Sequence, residues 1–384
     1  MNHNFTAQDE FFMRRALDLA LLGQYTARPN PLVGAVLVNP AGEIIGEGAH
    51  LNYGEAHAEI NALAQASTNN KPIKKSTCYV TLEPCSHTGK TGPCVDALTQ
   101  AGVSKIIFAM KDPNPLVKNN QGLEKLKKAG VEIFWGLLEQ EARDLNPGFI
   151  SRMEKSRPYV RAKIAASLDG KTALSHGQSQ WITSPESRQD VQYLRARSSV
   201  IISGSGTVKA DNPSLNIRLE NLKISQKISQ KIVQPLRIIC NSSGDLFENI
   251  ENLNLFKNQV NHNFLIAHSN INFINLSQLN NLYLPNPDLN KNQKINLKNL
   301  LNFCHENNYS EVLIEAGNKL TSAFLNQNLI DELWVYMAPC FLGAGAVDML
   351  TIPEVLNLNQ AHEQGWKIKS IELIGPDLKI ILIK

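Results

Sequence analysis

The 384-residue chain is poor in the features that most quickly assign a class. Its six cysteines are too sparse for a disulfide framework, and only Cys85 and Cys94 lie close together. In a reducing compartment such a pair reads as metal binding rather than as a bridge. No segment approaches the roughly 20 apolar residues of a membrane span, and the opening MNHNFTAQDEFF has no basic stretch running into a long apolar one. A cytoplasmic protein with no membrane partner is expected. The formal charge is only +3, from 38 basic and 35 acidic side chains. That balance lacks the large positive field that dominates nucleic-acid binding. Composition by itself leaves the partner open.

At 43% hydrophobic, the chain is long enough for two cores rather than one. Residues 10–22 space their apolar side chains as an amphipathic helix, and residues 33–38 and 43–48 read as a strand pair joined by Asn39, Pro40 and Gly42. A helical pattern near His57, a strand at 77–82, a helix after Pro93 and a strand at 105–110 then alternate, and 122–136 repeats the alternation once more. The first 150 residues therefore read as a complete layered α/β domain. The charged segment 151–158, ending in Pro158, reads as the boundary. A second α/β domain is expected over 157–384, with strands at 159–167, 199–204 and 235–240, a helix over 186–198, and a strand, helix and strand between 310 and 339. From about 219 to 300 the chain is rich in Asn, Lys, Ile and Leu without a fixed period, and reads as surface loops and weak secondary structure.

The most informative pattern is His57-Ala58-Glu59, followed by Pro84-Cys85 and then Cys94. One His and two Cys match the three protein ligands of a catalytic zinc site, whose fourth position stays open to water. His57 and Cys94 fall at predicted helix starts and Cys85 just after a strand, where exposed backbone N–H groups favour a thiolate. Zinc would lower the pKa of a bound water toward about 7, and Glu59 is close enough to His57 to carry its proton. This H-x-E with P-C combination is the signature of zinc nucleobase deaminases, although that signature has two residues between its cysteines and this chain has eight. A structural zinc would need a fourth protein ligand, for which His87 is the spare candidate. His87 could otherwise touch substrate.

Residues 28–38, 46–59, 79–94 and 110–117 resemble the family of bifunctional bacterial riboflavin-biosynthesis deaminase/reductases, which also has the long cysteine spacer. The resemblance implies a three-layer, cytidine-deaminase-like first domain with one zinc on His57, Cys85 and Cys94 and with Glu59 as proton shuttle. It further implies that Asn30 and His50 hold the pyrimidine and Lys90 the substrate phosphate. After 112–117 the chain departs from the family, with Lys118, Asn119, Asn120 and Gln121 before Gly122.

In the second half, Gly204 and Gly206 would let the backbone turn tightly near a ligand. Gly317, between a strand and a helix whose first turn carries Thr321 and Ser322, marks either a plain strand-to-helix turn or a phosphate cradle. Residues 161–173, 179–196, 206–218 and 314–325 are similar to the dihydrofolate-reductase-like reductase of the same family. That similarity implies NADPH contacts at Ala165, Trp181, Thr207, Asp211, Ser242, Gly317, Asn318, Lys319, Leu320, Thr321, Ser322 and Ala323. It implies substrate contacts at Ser179, Arg195, Leu215, Arg218 and Glu315, with Lys163 nearby, the two arginines suiting a sugar phosphate. Cys340 stands where the family usually has Lys, and Asn241 where it has Asp.

The implied chemistry is zinc-assisted removal of the 2-amino group from 2,5-diamino-6-(5-phosphoribosylamino)-4(3H)-pyrimidinone, then NADPH reduction of ribosyl to ribityl. A homo-oligomer is expected. The alternatives are a tRNA-type nucleic-acid deaminase, disfavoured by the near-neutral charge, and a non-catalytic binding protein that keeps a zinc fold.

Overall fold

The computed structural model describes residues 5–86, 92–118, 122–242, 244, 246, 252–257, 263–269, 281–284 and 294–384. The chain divides into two compact units, the first running to Ser156 and including Gln230–Ile232, the second comprising Arg157–Ser229 and Val233–Lys384.

In the first unit α1 (Ala7–Ala20) precedes a hairpin of β1 (Gly34–Val38) and β2 (Ile44–Ala49), followed by α2 (Ala58–Thr68), β3 (Thr77–Leu82), α3 (Cys94–Gln100) and β4 (Lys105–Met110). After α4 (Pro115–Lys118) come α5 (Gly122–Lys128), β5 (Glu132–Trp135), α6 (Glu139–Leu145) and α7 (Pro147–Lys155). The sheet order is β2-β1-β3-β4-β5, antiparallel across β1 and parallel from β3 to β5. Thr6 caps α1 reciprocally with Asp9, a capping box that satisfies two backbone donors. Gly46 and Gly48 let α2 lie directly on β2. A Cβ at Gly48 would stand 2.1 Å from the Ala58 carbonyl oxygen, and one at Gly46 would stand 2.2 Å from that of Ala62. No larger residue allows that approach, which sets the height of the α2 N-terminus above the sheet. The segment 151–158 does not behave as a linker throughout, since α7 remains helical to Lys155 and buries Phe149, Ile150 and Ser151.

The second unit begins with β6 (Tyr159–Ser167), β7 (Lys171–Ala173), α8 (Pro185–Ala196), β8 (Val200–Gly204), α9 (Ser205–Asp211), α10 (Gln226–Ser229) and β9 (Leu236–Cys240). It continues through α11 (Asn254–Lys257), β10 (Phe264–His268), β11 (Asn281–Tyr283), α12 (Leu297–Glu306), β12 (Glu311–Ile314) and α13 (Asn318–Asn326). It ends with β13 (Glu332–Ala338), β14 (Val347–Asp348), α14 (Leu358–His362), β15 (Lys367–Ile374) and β16 (Asp377–Ile383). Nine strands form one sheet in the order β11-β10-β9-β8-β12-β6-β13-β16-β15. It is parallel up to β13, and β16 and β15 then join antiparallel.

Alternate residues of each central strand enter different cores, as the two-residue side-chain period requires. Val200, Ile202, Val312 and Ile314 pack with Leu300 and Leu301 of α12 and Phe324 of α13. Ile201, Leu313, Trp334 and Tyr336 pack with Val191 and Leu194 of α8 and Val208 of α9.

Three expectations change. The Asn-rich stretch contributes β10, which pairs in parallel with β9 and buries Phe264, Ile266 and Ala267. Its apolar residues are few but fall where a buried strand needs them. The Gly204–Gly206 turn is instead the start of α9, with Gly204 in the N-cap position. The β15–β16 hairpin also extends the sheet beyond the last strand expected from sequence.

Candidate active sites

The first site is built where α2, β3 and α3 end. His57 is the N-cap residue of α2, Cys85 follows β3, and Cys94 is the first residue of α3. His57 Nδ1 lies 3.4 Å from the Sγ of Cys85 and 3.4 Å from that of Cys94, and the three ligand atoms all fall within 4.8 Å of one another. Zinc–nitrogen bonds of about 2.0–2.1 Å and zinc–sulfur bonds of about 2.3 Å at tetrahedral angles put N and S roughly 3.6 Å apart. The cluster therefore has the dimensions that zinc needs. The Cys94 backbone N–H also donates to Cys85 Sγ at 3.3 Å. The neighbouring Cys94 thiol, with His57, pulls Cys85 down to about 4, while Cys94 is pushed up because the two thiols share a proton. Cys85 is a ready thiolate ligand.

Glu59, on the first turn of α2, is buried and lines the same cavity of about 330 Å³. Burial, together with the Cys85 thiolate, pushes its carboxyl up to about 7. Asn30 and His50 line the cavity as a linked pair. Asn30 Nδ2 lies 3.0 Å from His50 Nε2, and His50 Nδ1 lies 3.1 Å from the Ala56 carbonyl oxygen. Burial lowers the His50 pKa. A neutral ring donating from Nδ1 to Ala56 leaves Nε2 to accept from the Asn30 amide, so the Asn30 side-chain oxygen remains available to a ligand. Lys90 and His87 lie outside the described residues. Glu83, Asp112, Asn114, Phe149, Arg152 and Met153 also line the cavity. The stretch around Asp112 and Asn114 stands out in sequence as DPNP, but nothing local marks the three residues of α7.

The second site is a cavity of about 810 Å³ whose walls come from β6, β7, α8, α9, β13, β14 and the loops beside them, including the one that follows β12. It brings together Lys163, Ala165, Ser179, Trp181, Arg195, Thr207, Asp211, Leu215, Arg218, Glu315, Gly317 and Asn318. Arg195 does not offer its fork to a phosphate. Its Nε and Nη2 donate to Glu315 at 2.6 and 2.9 Å and its Nη1 to the Asn216 carbonyl at 2.8 Å, with both side chains only 10% exposed. Arg195 thereby holds Glu315 below the usual carboxylate range, against burial. Arg218 is exposed and, among the described residues, donates its backbone N–H to Gln192 Oε1 and makes no side-chain hydrogen bond, so its guanidinium faces solvent at the cavity. Burial pushes the Lys163 amine down, partly opposed by Glu315. Ser179 Oγ donates to Asp211 Oδ1 at 2.7 Å.

Gly317 is the N-cap residue of α13, and its N–H donates to Thr207 Oγ1 at 3.0 Å. A Cβ there would meet only that hydroxyl oxygen, at 3.6 Å, so the cradle is open. Lys319, Leu320, Thr321, Ser322 and Ala323 do not line the cavity, because α13 starts at Asn318 and carries them away along its axis. Thr321 and Ser322 direct their hydroxyls to the Ala316 carbonyl and to Asn318 Oδ1. Ser242 is also outside the wall and accepts from the Ile295 N–H at 3.4 Å. Tyr336, Val347 and Met349 line the cavity and were not legible in sequence, because they come from separate, distant strands and loops.

No helix among the described residues is long and apolar enough to cross a membrane.

The profile of the cytidine and deoxycytidylate deaminase zinc-binding region matches residues 6–110, and that of the RibD C-terminal domain matches residues 158–380. The chain is 41% identical to the riboflavin biosynthesis protein RibD of Haemophilus influenzae, covering 98% of this chain and 97% of that protein. Against its namesake from Escherichia coli it is 40% identical, covering 98% and 99%. The solved structure of Acinetobacter baumannii RibD (form 1) is 38% identical and superposes with a TM-score of 0.84 over 98% of each chain. A Thermotoga maritima diaminohydroxyphosphoribosylaminopyrimidine deaminase/5-amino-6-(5-phosphoribosylamino)uracil reductase is 30% identical, with a TM-score of 0.81 over 98% of each chain. With a zinc-type cysteine–histidine cluster in one unit and a reductase cavity in the other, the chain belongs to the RibD family, bifunctional enzymes of riboflavin biosynthesis that join a zinc-dependent deaminase to an NADPH-dependent reductase.

Proposed function

We propose that the first site hydrolyses the 2-amino group of 2,5-diamino-6-(5-phosphoribosylamino)-4(3H)-pyrimidinone. The second site then reduces the ribosyl side chain of the product to give 5-amino-6-(5-phosphoribitylamino)uracil. The observation that carries this reading is the His57–Cys85–Cys94 triangle opening, beside Glu59, into the cavity that also holds the Asn30–His50 pair.

When bound on those three ligands, zinc supplies a water acidic enough to be a nucleophile near neutral pH. Glu59 would carry one proton of that water to the ring nitrogen and the second to the departing amine, so that both protons of the water are used. Asn30 and His50 orient the pyrimidine, and Lys90 contributes to holding the phosphate.

In the second site NADPH supplies the hydride. Gly317 and the first N–H groups of α13, with Thr207, Asp211, Ala165 and Trp181, orient the cofactor. Arg218 takes the substrate phosphate, and Ser179 and Leu215 flank the sugar. Glu315, aimed by Arg195, accepts from sugar hydroxyls, with Lys163 and Asp211 beside it to handle the proton at the ring oxygen. Ser242 and residues 319–323 act at most through the backbone and the helix dipole, since their side chains do not reach the cavity.

A small cavity lined with carboxylates favours a small-molecule substrate over a nucleic-acid backbone. A homo-oligomer fits the outer edge of β15, where Ile368, Ile371 and Leu373 stand exposed. A cytoplasmic location suits thiolates that must stay reduced.

The deciding experiment is mass spectrometry of the diaminopyrimidinone phosphate incubated with enzyme, with and without NADPH. The expected results are a mass gain of about one unit (NH₂ replaced by OH across the keto tautomer) without cofactor, and a further gain of two hydrogens with it. An unchanged mass in a zinc-loaded preparation would overturn the reading.

A further inference from the structure

The deaminase profile ends at Met110 and the RibD C-terminal profile begins at Pro158, so residues 111–157 belong to neither match. This stretch nevertheless forms part of the first cavity's wall, through Asp112 and Asn114 after β4 and through Phe149, Arg152 and Met153 on α7. A region outside the general zinc-binding core is where recognition of this particular substrate would be built.

α7 is firmly placed. At its N-cap position Asn146 is buried, and its side-chain amide makes two hydrogen bonds to one backbone unit, accepting from the Leu32 N–H at 2.7 Å and donating to the Leu32 carbonyl at 2.9 Å. An amide that matches both groups of one residue does what a neighbouring strand would do. It ties the start of α7 to the segment that carries Asn30, so the pyrimidine-holding loop and α7 are fixed with respect to each other.

The charge balance of the cavity then matters. Glu55, Glu59, Glu83 and Asp112 line it, and among the described residues the single Lys or Arg side chain in the wall is Arg152. A phosphate dianion brought near carboxylates is repelled by about 4 kcal/mol per unit charge pair at 4 Å in a partly screened site. A cation close to the phosphate offsets that repulsion, and a guanidinium fork matches phosphate oxygens in pairs.

We propose that Arg152 is a specificity-determining residue of the deaminase site, contacting the substrate phosphate and selecting the phosphorylated aminopyrimidine over its dephosphorylated counterpart. This inference rests on the deaminase reading above and adds a second contact to the one expected from Lys90.

The test compares full-length wild type, Arg152→Met and Arg152→Lys, all zinc-loaded, by ammonia release from the phosphorylated aminopyrimidine and from the same compound after phosphatase treatment. Reductase turnover of each preparation serves as the folding control. Wild type should prefer the phosphorylated compound. Arg152→Met should reduce that preference roughly 100-fold, mainly through KM, as expected when one partner of a charge pair is truncated. Arg152→Lys should restore part of it. An equal loss on both compounds would reduce Arg152 to a packing role, and an intact preference in Arg152→Met would place the phosphate on other groups. Either result overturns the proposal. Wild type that releases ammonia from neither compound would instead sink the assigned reaction.

Discussion

The two cavities treat buried carboxylates in opposite ways. In the first, Glu59 has no arginine against it among the described residues, and burial beside a thiolate pushes it up to about 7. In the second unit, Glu315 is gripped bidentately by Arg195, and Glu332, buried beside Arg161, is held down at about 2 despite its burial. The first site thus keeps a carboxylate that can take up and release a proton, while the second holds Glu315, ion-paired with Arg195, as a fixed acceptor. A deaminase must move protons between water, ring and amine, whereas a hydride-transfer site must orient a sugar against a nicotinamide. The placement of arginines follows that difference.

The sharpest way to break the comparison is Glu59→Gln, which keeps volume and the three zinc ligands but removes the proton carrier. Ammonia release should fall by roughly 10²–10⁴-fold or more, with zinc stoichiometry by elemental analysis and reductase turnover both retained. Loss of zinc from a folded variant would make Glu59 a ligand rather than a shuttle.

The second test separates two arginines that looked alike in sequence. Arg195→Met strands a buried carboxylate and should cost about 3–5 kcal/mol of stability as well as reductase rate. Arg218→Met should leave the thermal melt near wild type and raise the reductase substrate KM by roughly tenfold or more. Matching effects in the two variants would mean that the ion pair with Glu315 is not what distinguishes them.

Acid gives a third test. The Glu332 pKa is depressed on folding, so its contribution to stability is complete above the usual carboxylate value of 4.5. It is lost as pH falls from there toward about 2, amounting to about 3 kcal/mol at most. Glu332→Gln should flatten the decline of the reductase unit's melting temperature over that interval. An equally steep decline would place the acid sensitivity elsewhere.

The smallest expected effect is at the cofactor cradle. Gly317 has φ near −72° and open space where a Cβ would go, so Gly317→Val should fold normally. The added methyl groups should obstruct the pyrophosphate and raise the NADPH Kd by at least about tenfold, or about 1.4 kcal/mol, read by fluorescence quenching. Deamination should continue. Unchanged affinity would remove this loop from the cofactor site.

Much of the first site was legible in sequence because its chemistry sits within short segments. His57, Glu59, Cys85 and Cys94 lie at element ends that periodicity locates, and the metal's ligand preference restricts what such a set can be for. The strands β3, β4 and β6 were legible because buried strands leave continuous apolar, β-branched runs between turn residues. What was not legible arises between positions far apart. Arg195 and Glu315 are 120 residues apart, and only folding shows that one guanidinium is already engaged by the other's carboxylate. Asn146 and Leu32 are 114 residues apart, and their two hydrogen bonds, with Phe149 and Ile150 packed in the core, hold α7 at the deaminase cavity. The strands β10 and β11 are similar, since the modest apolar content of β10 becomes a buried strand, with half-buried β11 at the edge beside it, only once β9 offers its open backbone. The sequence by itself determined the two chemistries and the order of the domains, because ligand sets and side-chain periods are local properties of the chain. The tertiary structure alone decided which charges are paired, which remain available to substrate and which side chains close the cavities, because charge pairing and enclosure depend on distances that sequence separation does not encode.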